Sequence, residues 1–190
     1  MAFVDPEFLR RIKQRDADAL REIAEANTRP LYRAARGMGC DGPEAEDLVQ
    51  DVFVTFLGGI ERFEGRSQLS TWLFGILHHK VQERRRINAR SDDQIDETFE
   101  AQFDARGHWI SVPIDPIGSL HSQQARAALD DCVSRLPAAQ RAAFHLRTVE
   151  ELSAIEAGNV LGQSVTHIGV LLHRARARLR ECLQGKGFTG

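Results

Sequence analysis

The segment from Leu152 to Leu183 constrains this chain more than any other part of it. Ser153-Ala154-Ile155-Glu156 has the spacing of a capping box, in which a serine hydroxyl and a glutamate three residues on satisfy free N–H groups at a helix start. Leu161-Gly162 ends that short helix, and Gln163-Ser164 opens a longer one running from Val165 to about Leu183. Along the second helix Ile168, Leu171, Leu172, Ala175, Leu179, Cys182 and Leu183 fall on one side. Two helices joined by a short glycine-containing turn form a helix-turn-helix pattern, whose second helix can enter a DNA major groove. A purely structural helical hairpin would have much the same spacing.

The rest of the chain is helical in pattern too, with almost no strand signal. Asp5-Pro6 is a good helix start, and Asp16 opens a second helix that runs toward Arg36, with Pro30 as a kink and Gly37 and Gly39 as the stop. Gly42-Pro43 begins a third helix, where Glu44, Glu46 and Asp47 suit the positive end of the dipole. Its apolar residues Leu48, Val49, Val52, Phe53, Phe56, Leu57 and Ile60 recur at the spacing of one buried face. Ser67 or Ser70 caps the next, which buries Leu69, Trp72, Leu73, Ile76, Leu77 and Val81 and ends in Arg84-Arg85-Arg86. Leu136-Pro137 starts a helix through Arg147. The predicted class is all-α, with two small helical domains.

Charge divides the 190 residues further. Residues 1–87 carry 14 basic and 14 acidic side chains, residues 88–118 carry 2 and 7, and residues 119–190 carry 9 and 6. The middle segment also holds Pro113 and Pro116 and lacks a sustained period, so it reads as a flexible acidic linker between domains at 1–87 and 119–190. It is either a solvated tether or a guide for nucleic acid or a partner.

No run of apolar residues approaches the roughly 20 that a membrane span needs. The N-terminus becomes charged at once, unlike a secretory signal, so the chain reads as cytoplasmic. Cys40, Cys132 and Cys182 are odd in number and far apart, which suggests buried or unreactive thiols, with neither a disulfide framework nor a zinc ribbon. His78 and His79 point to different helix faces, and His167 and His173 are too badly spaced to share one, so no metal site is expected. There is no glycine-rich phosphate loop, nucleophile elbow or triad spacing, and the enzyme reading is weak.

Arg174, Arg176, Arg178 and Arg180 fan over two helical rows and suit either phosphate contact or a solvated face beside a C-terminal dipole. Arg84-Arg85-Arg86 carries the same ambiguity. Trp72, among apolar residues at helical spacing, reads first as a packed aromatic and second as a base-stacking platform.

Two anchors in order resemble the extracytoplasmic-function group of sigma factors in the sigma-70 family, over most of the chain. Ala45-Glu46-Asp47-Leu48-Val49-Gln50-Asp51-Val52-Phe53, with Phe63-Glu64-Gly65-Arg66-Ser67-Gln68-Leu69-Ser70-Thr71-Trp72-Leu73, is similar to family regions 2.2 and 2.3. Leu136-Pro137-Ala138-Ala139-Gln140-Arg141, Leu161-Gly162-Gln163-Ser164-Val165 and the arginine-rich helix after Leu172 are similar to region 4.

The resemblance implies a non-enzymatic specificity subunit that binds core RNA polymerase and directs promoter-specific initiation, with no cofactor and no small-molecule substrate. Asp47, Gln50 and Asp51 would meet the clamp helices of the largest polymerase subunit, and the flap region would be a further contact. Phe63, Arg66, Ser67, Thr71 and Trp72 match the segment that captures an unstacked base of the minus-ten element, with His79, Lys80, Glu83 and Arg84 along its upstream edge. Ser164, Thr166, His167, Arg174 and Arg176 would address the minus-thirty-five element. The resemblance also implies control by an anti-sigma factor, often membrane-linked and sometimes zinc-containing, without membrane insertion of this chain.

Some positions depart from the family pattern. Gly169 and Leu171 stand where basic or small polar residues are common, and Ser70 stands where arginine is frequent. Fewer cations weaken phosphate anchoring. The rival readings are a sigma-like mimic that occupies an anti-sigma factor and a stand-alone helix-turn-helix repressor, which leaves the first domain unexplained.

Overall fold

The computed structural model describes residues 4–88 and 123–188. All regular structure among them is helical, as the patterning predicts. Helix α1 spans Pro6–Lys13, α2 Ala17–Gly37, α3 Gly42–Gly59 and α4 Leu69–Asn88, with a single 3₁₀ turn at Ile60–Arg62. The second group comprises α5 (Gln123–Ser134), α6 (Ala138–Thr148), α7 (Ala154–Leu161) and α8 (Val165–Gly185). The acidic linker expected at 88–118 lies outside the described residues beyond Asn88.

Local chemistry explains most boundaries. The side chains of Asp5, Asp16 and Asp41 accept backbone N–H groups at the starts of α1, α2 and α3, so each satisfies donors that a helix start leaves free. Helix α2 passes through Pro30 to Gly37, and Gly39 follows at φ +99°, a left-handed turn that glycine adopts without strain. Around Ser153 both bonds of the capping box are present, and Gly162 closes α7 in the left-handed region at φ +65°. Ser164 then caps α8 through the His167 N–H at 3.1 Å. Helix α4 departs from expectation, because it begins at Leu69, leaving Ser67 ahead of the helix and Ser70 inside it.

Helices α2, α3 and α4 pack around Leu31, Leu48, Val52, Phe56, Leu73 and Leu77, all fully buried. That core continues into the second group through Ala143, Leu146, Ala157, Val160 and Ile168, so α7 rests on α4 and α6 on α2. A smaller core holds Cys132, Leu136, Phe144, Ala175, Leu179 and Leu183 between α5, α6 and α8.

The cysteine expectation needs correction. Cys40 is a buried thiol, but Cys132 of α5 and Cys182 of α8 are joined in a disulfide, with Cα atoms 5.9 Å apart. A sequence separation of 50 conceals this pairing, which exists because the C-terminal ends of α5 and α8 lie side by side.

Candidate nucleic-acid interface

After the 3₁₀ turn, Phe63 is 2% exposed and folds under α4. The Trp72 ring meets Phe63 at 5.2 Å and the edge of Phe56 at 5.7 Å. Trp72 is therefore a packed aromatic that remains half-buried, and its accessible part lines a cleft. Ser67, Thr71, Trp72 and His79 are brought together along this cleft, and Asn159 and Val160 of α7 form its other wall. Thr71 is only 5% exposed, and its hydroxyl donates to the Glu156 carboxylate across 3.3 Å.

Other expected positions separate from this group. Arg66 is exposed and pairs with Glu64 at 2.9 Å. Glu83 is exposed and Lys80 half-buried farther along α4. Asp47 and Gln50 face solvent on α3, whereas Asp51 is half-buried and pairs with Arg84 at 3.2 Å. A residue expected to meet polymerase and one expected to meet DNA thus hold each other.

On α8, Ser164, Thr166, His167 and Arg176 are exposed, and Arg174 is half-buried. Gly169 is exposed with open space where a Cβ would stand. Leu171 is 7% exposed and belongs to the main core, so an apolar residue there serves packing. His173 is held down to a pKa of about 4 by burial, with Arg180 and Arg176 adding repulsion. The imidazole is thus neutral at neutral pH.

The joint between the two helical groups was not visible in the sequence. Arg33 of α2 forks onto Glu150 with bonds of 3.1 and 2.8 Å, and His145 reaches the same carboxylate at 3.2 Å. Burial works against the Glu150 charge, but His145 and Arg33 outweigh it and hold the carboxyl below its ordinary value. At the end of α2 the Met38 carbonyl accepts from Arg85 of α4 and from Arg141 of α6. Cations suit a helix C-terminus, and here they also tie both groups to it. Glycines allow the close approach: a Cβ on Gly37 would stand 2.1 Å from the His145 ring, and one on Gly39 2.1 Å from the Arg141 guanidinium. In the sequence Gly37 and Gly39 read only as a helix stop.

The family description "Sigma-70 region 2" matches residues 23–91, and "Sigma-70, region 4" matches residues 126–179. A probable RNA polymerase sigma factor of Haemophilus influenzae is 30% identical over 151 residues, covering 75% of this chain and 78% of that protein. The ECF RNA polymerase sigma factor SigW of Bacillus subtilis is 27% identical over 179 residues, covering 93% and 95%. Among solved structures, the sigma factor RpoE of Bartonella quintana in complex with the anti-sigma factor NepR superposes with a TM-score of 0.64 at 28% identity, covering 86% of this chain and 96% of that one.

Proposed function

Since the chain belongs to the sigma-70 family, in its extracytoplasmic-function group, we propose that it docks on core RNA polymerase, reads a two-part promoter and opens it without catalytic activity of its own. We assign polymerase docking and minus-ten recognition to residues 1–87, tethering to 88–118 and minus-thirty-five recognition to 119–190. No helix among the described residues is long and apolar enough to cross a membrane. Action beside polymerase in the cytoplasm accords with this.

The observation that carries this reading is the cleft along α4, where Ser67, Thr71, Trp72 and His79 converge within the segment that matches region 2. Trp72, steadied by Phe56 and Phe63, offers a rigid aromatic wall, and Ser67 and Thr71 add short polar groups. An unstacked base needs a π surface and hydrogen-bond partners, and its capture offsets the cost of unstacking. Arg66 and His79 would guide the backbone beside it. On α8, Thr166, His167, Arg174 and Arg176 would read or anchor the major groove, with Ser164 setting the helix start. Asp47 and Gln50 would meet the clamp helices directly, and Asp51 would first exchange its bond to Arg84.

With α7 forming one wall of the cleft, we read this arrangement as that of a resting factor. Binding to core polymerase would separate the groups, freeing Thr71 from Glu156. An anti-sigma factor holding the groups together would keep α7 against the cleft, and the superposition on a sigma factor bound to one supports that reading.

The test is run-off transcription on fragmented genomic DNA with core polymerase alone and with this protein added. Discrete new start sites are expected. Their absence on every fragment, with polymerase binding verified, would sink the promoter reading and favour a mimic.

A further inference from the structure

Helix α5 has 12 residues, too short to stand alone in water, where helices below about 12–15 residues are marginal. Its docking therefore depends on what it packs against. It gives the smaller core one fully buried side chain, Cys132, supported by the partly buried Ala128, Leu129 and Val133. Cys132 is 2% exposed, while Cys182 on α8 is half-buried and reached from an open cleft lined by Arg135, Arg178 and Lys186, with Glu181 beside them. The Asp131 carboxylate lies near both sulfurs, a set of three groups that a divalent cation could use. Lys186 and Arg135 already hold that carboxylate at 3.0 and 2.9 Å, however, and the cationic lining opposes a second cation. The site suits sulfur redox chemistry better than metal binding.

We propose that Cys132 and Cys182 are a reversible oxidation site, closed by hydrogen peroxide and opened by dithiol reductants, whose state sets how firmly α5 is held on α8. The thiolate of the more accessible Cys182 attacks one peroxide oxygen and breaks the O–O bond, giving a sulfenic acid and releasing hydroxide, which takes a proton to become water. The Cys132 sulfur then attacks the sulfenyl sulfur. The S–O bond breaks, a second water leaves with the Cys132 proton, and the S–S bond forms. The two thiols lose two electrons and the peroxide gains them. A dithiol reverses the change by thiolate attack on the disulfide. Where thiols are kept reduced, disulfides are usually transient and catalytic or sensing. That compartment argument rests on the proposed function, whereas the chemistry does not.

Cys40 does not compete. It is 8% exposed, and burial, with the nearby Glu44 charge, pushes its thiol up to about 11. Its thiolate is scarce at neutral pH.

The experiment uses the full chain alone, so it stays informative even if the promoter reading fails. Protein reduced with dithiothreitol should take three maleimide labels under denaturing conditions. After hydrogen peroxide it should take one, on Cys40, with a monomeric cross-link joining the peptides of Cys132 and Cys182. Dithiothreitol should restore three labels. Amide hydrogens of α5 should exchange at least about tenfold faster in the reduced protein, with those of α3 unchanged. In Cys132→Ser, peroxide should leave a dimedone-reactive sulfenic acid at Cys182. Retention of three labels, oxidation at Cys40, a purely intermolecular cross-link, or equal α5 exchange in both states would overturn the proposal. So would stoichiometric zinc binding by the reduced protein that blocks oxidation.

Discussion

The Thr71 hydroxyl of α4 donates to the Glu156 carboxylate of α7 across 3.3 Å. The other carboxylate oxygen accepts the Ser153 backbone N–H at 2.8 Å, completing the capping box. The Ser153 bonds are the main reason the Glu156 carboxyl lies below its ordinary value, and Thr71 adds to them. One side chain therefore both starts the first helix of the helix-turn-helix and covers the position expected to face promoter DNA. These two roles can be separated.

Thr71→Val removes the donor but leaves the cap intact, so it should cost about 1 kcal/mol or less, the net worth of one neutral hydrogen bond. Glu156→Ala breaks both interactions and should cost about 1–2 kcal/mol, chiefly in α7. Urea titrations of both variants measure the difference. Equal losses would mean that Glu156 contributes only through Thr71.

Gly37→Ala should open the joint. The new methyl would stand 2.1 Å from the His145 ring, so the ring or α6 must move. Alanine gains about 1 kcal/mol in helix propensity over glycine, against roughly 1–3 kcal/mol for overpacking. Net destabilisation with unchanged helicity is expected, along with a larger radius of gyration by small-angle scattering. An unchanged radius would show that His145 can swing away freely.

Stability should fall on mild acidification. Burial first, and repulsion from His79 and Arg85 second, hold the His78 pKa at about 4, below the roughly 6.5 of an unfolded chain. Between those values the unfolded chain binds a proton that the folded chain refuses, so stability is lost as pH falls through that window. His173 acts in the same direction from a more solvated place. The lowered Glu150 carboxyl contributes stability that is present above the ordinary glutamate range and is lost only on further acidification. Denaturation midpoints at pH 7.5, 6 and 5 should decline, and less steeply in His78→Gln. Parallel profiles would remove His78 as the cause.

The disulfide should raise the stability of the second group. A link across 50 residues restricts the unfolded chain, and links of this kind contribute typically about 2–4 kcal/mol. Oxidised protein should therefore melt several degrees higher than reduced protein by calorimetry. The double variant Cys132→Ser with Cys182→Ser should match the reduced form under both conditions.

Much of the fold was legible from local chemistry. Asp5, Asp16, Ser153 and Ser164 each announce a helix start because the bonds they make lie within three residues along the chain, whereas the start read at Gly42-Pro43 is capped by the preceding Asp41. Gly162 marks the end of α7 for the same reason. The apolar spacing of α3 and α8 predicted which faces are buried, because a helix repeats its surface every few residues. Grouping Ser67, Thr71, Trp72 and His79 was also within reach, since all four lie on or beside one helix.

Distant partners were not legible. Thr71 with Glu156, Arg33 with Glu150, and Cys132 with Cys182 are separated by 85, 117 and 50 positions. Asp51 and Arg84 each looked like a surface group awaiting its own partner, and only the crossing of α3 and α4 makes them a pair. By itself the sequence determined seven of the eight α-helices among the described residues, most of their caps and buried faces, and the family pattern, because those depend on interactions a few residues apart; α5 and the start of α4 were not among them. Only the tertiary structure decided that α7 walls the α4 cleft, that Gly37 and Gly39 admit His145 and Arg141 at the joint, and that two cysteines meet. Those facts depend on how finished helices pack, and residues far apart in the chain become neighbours only then.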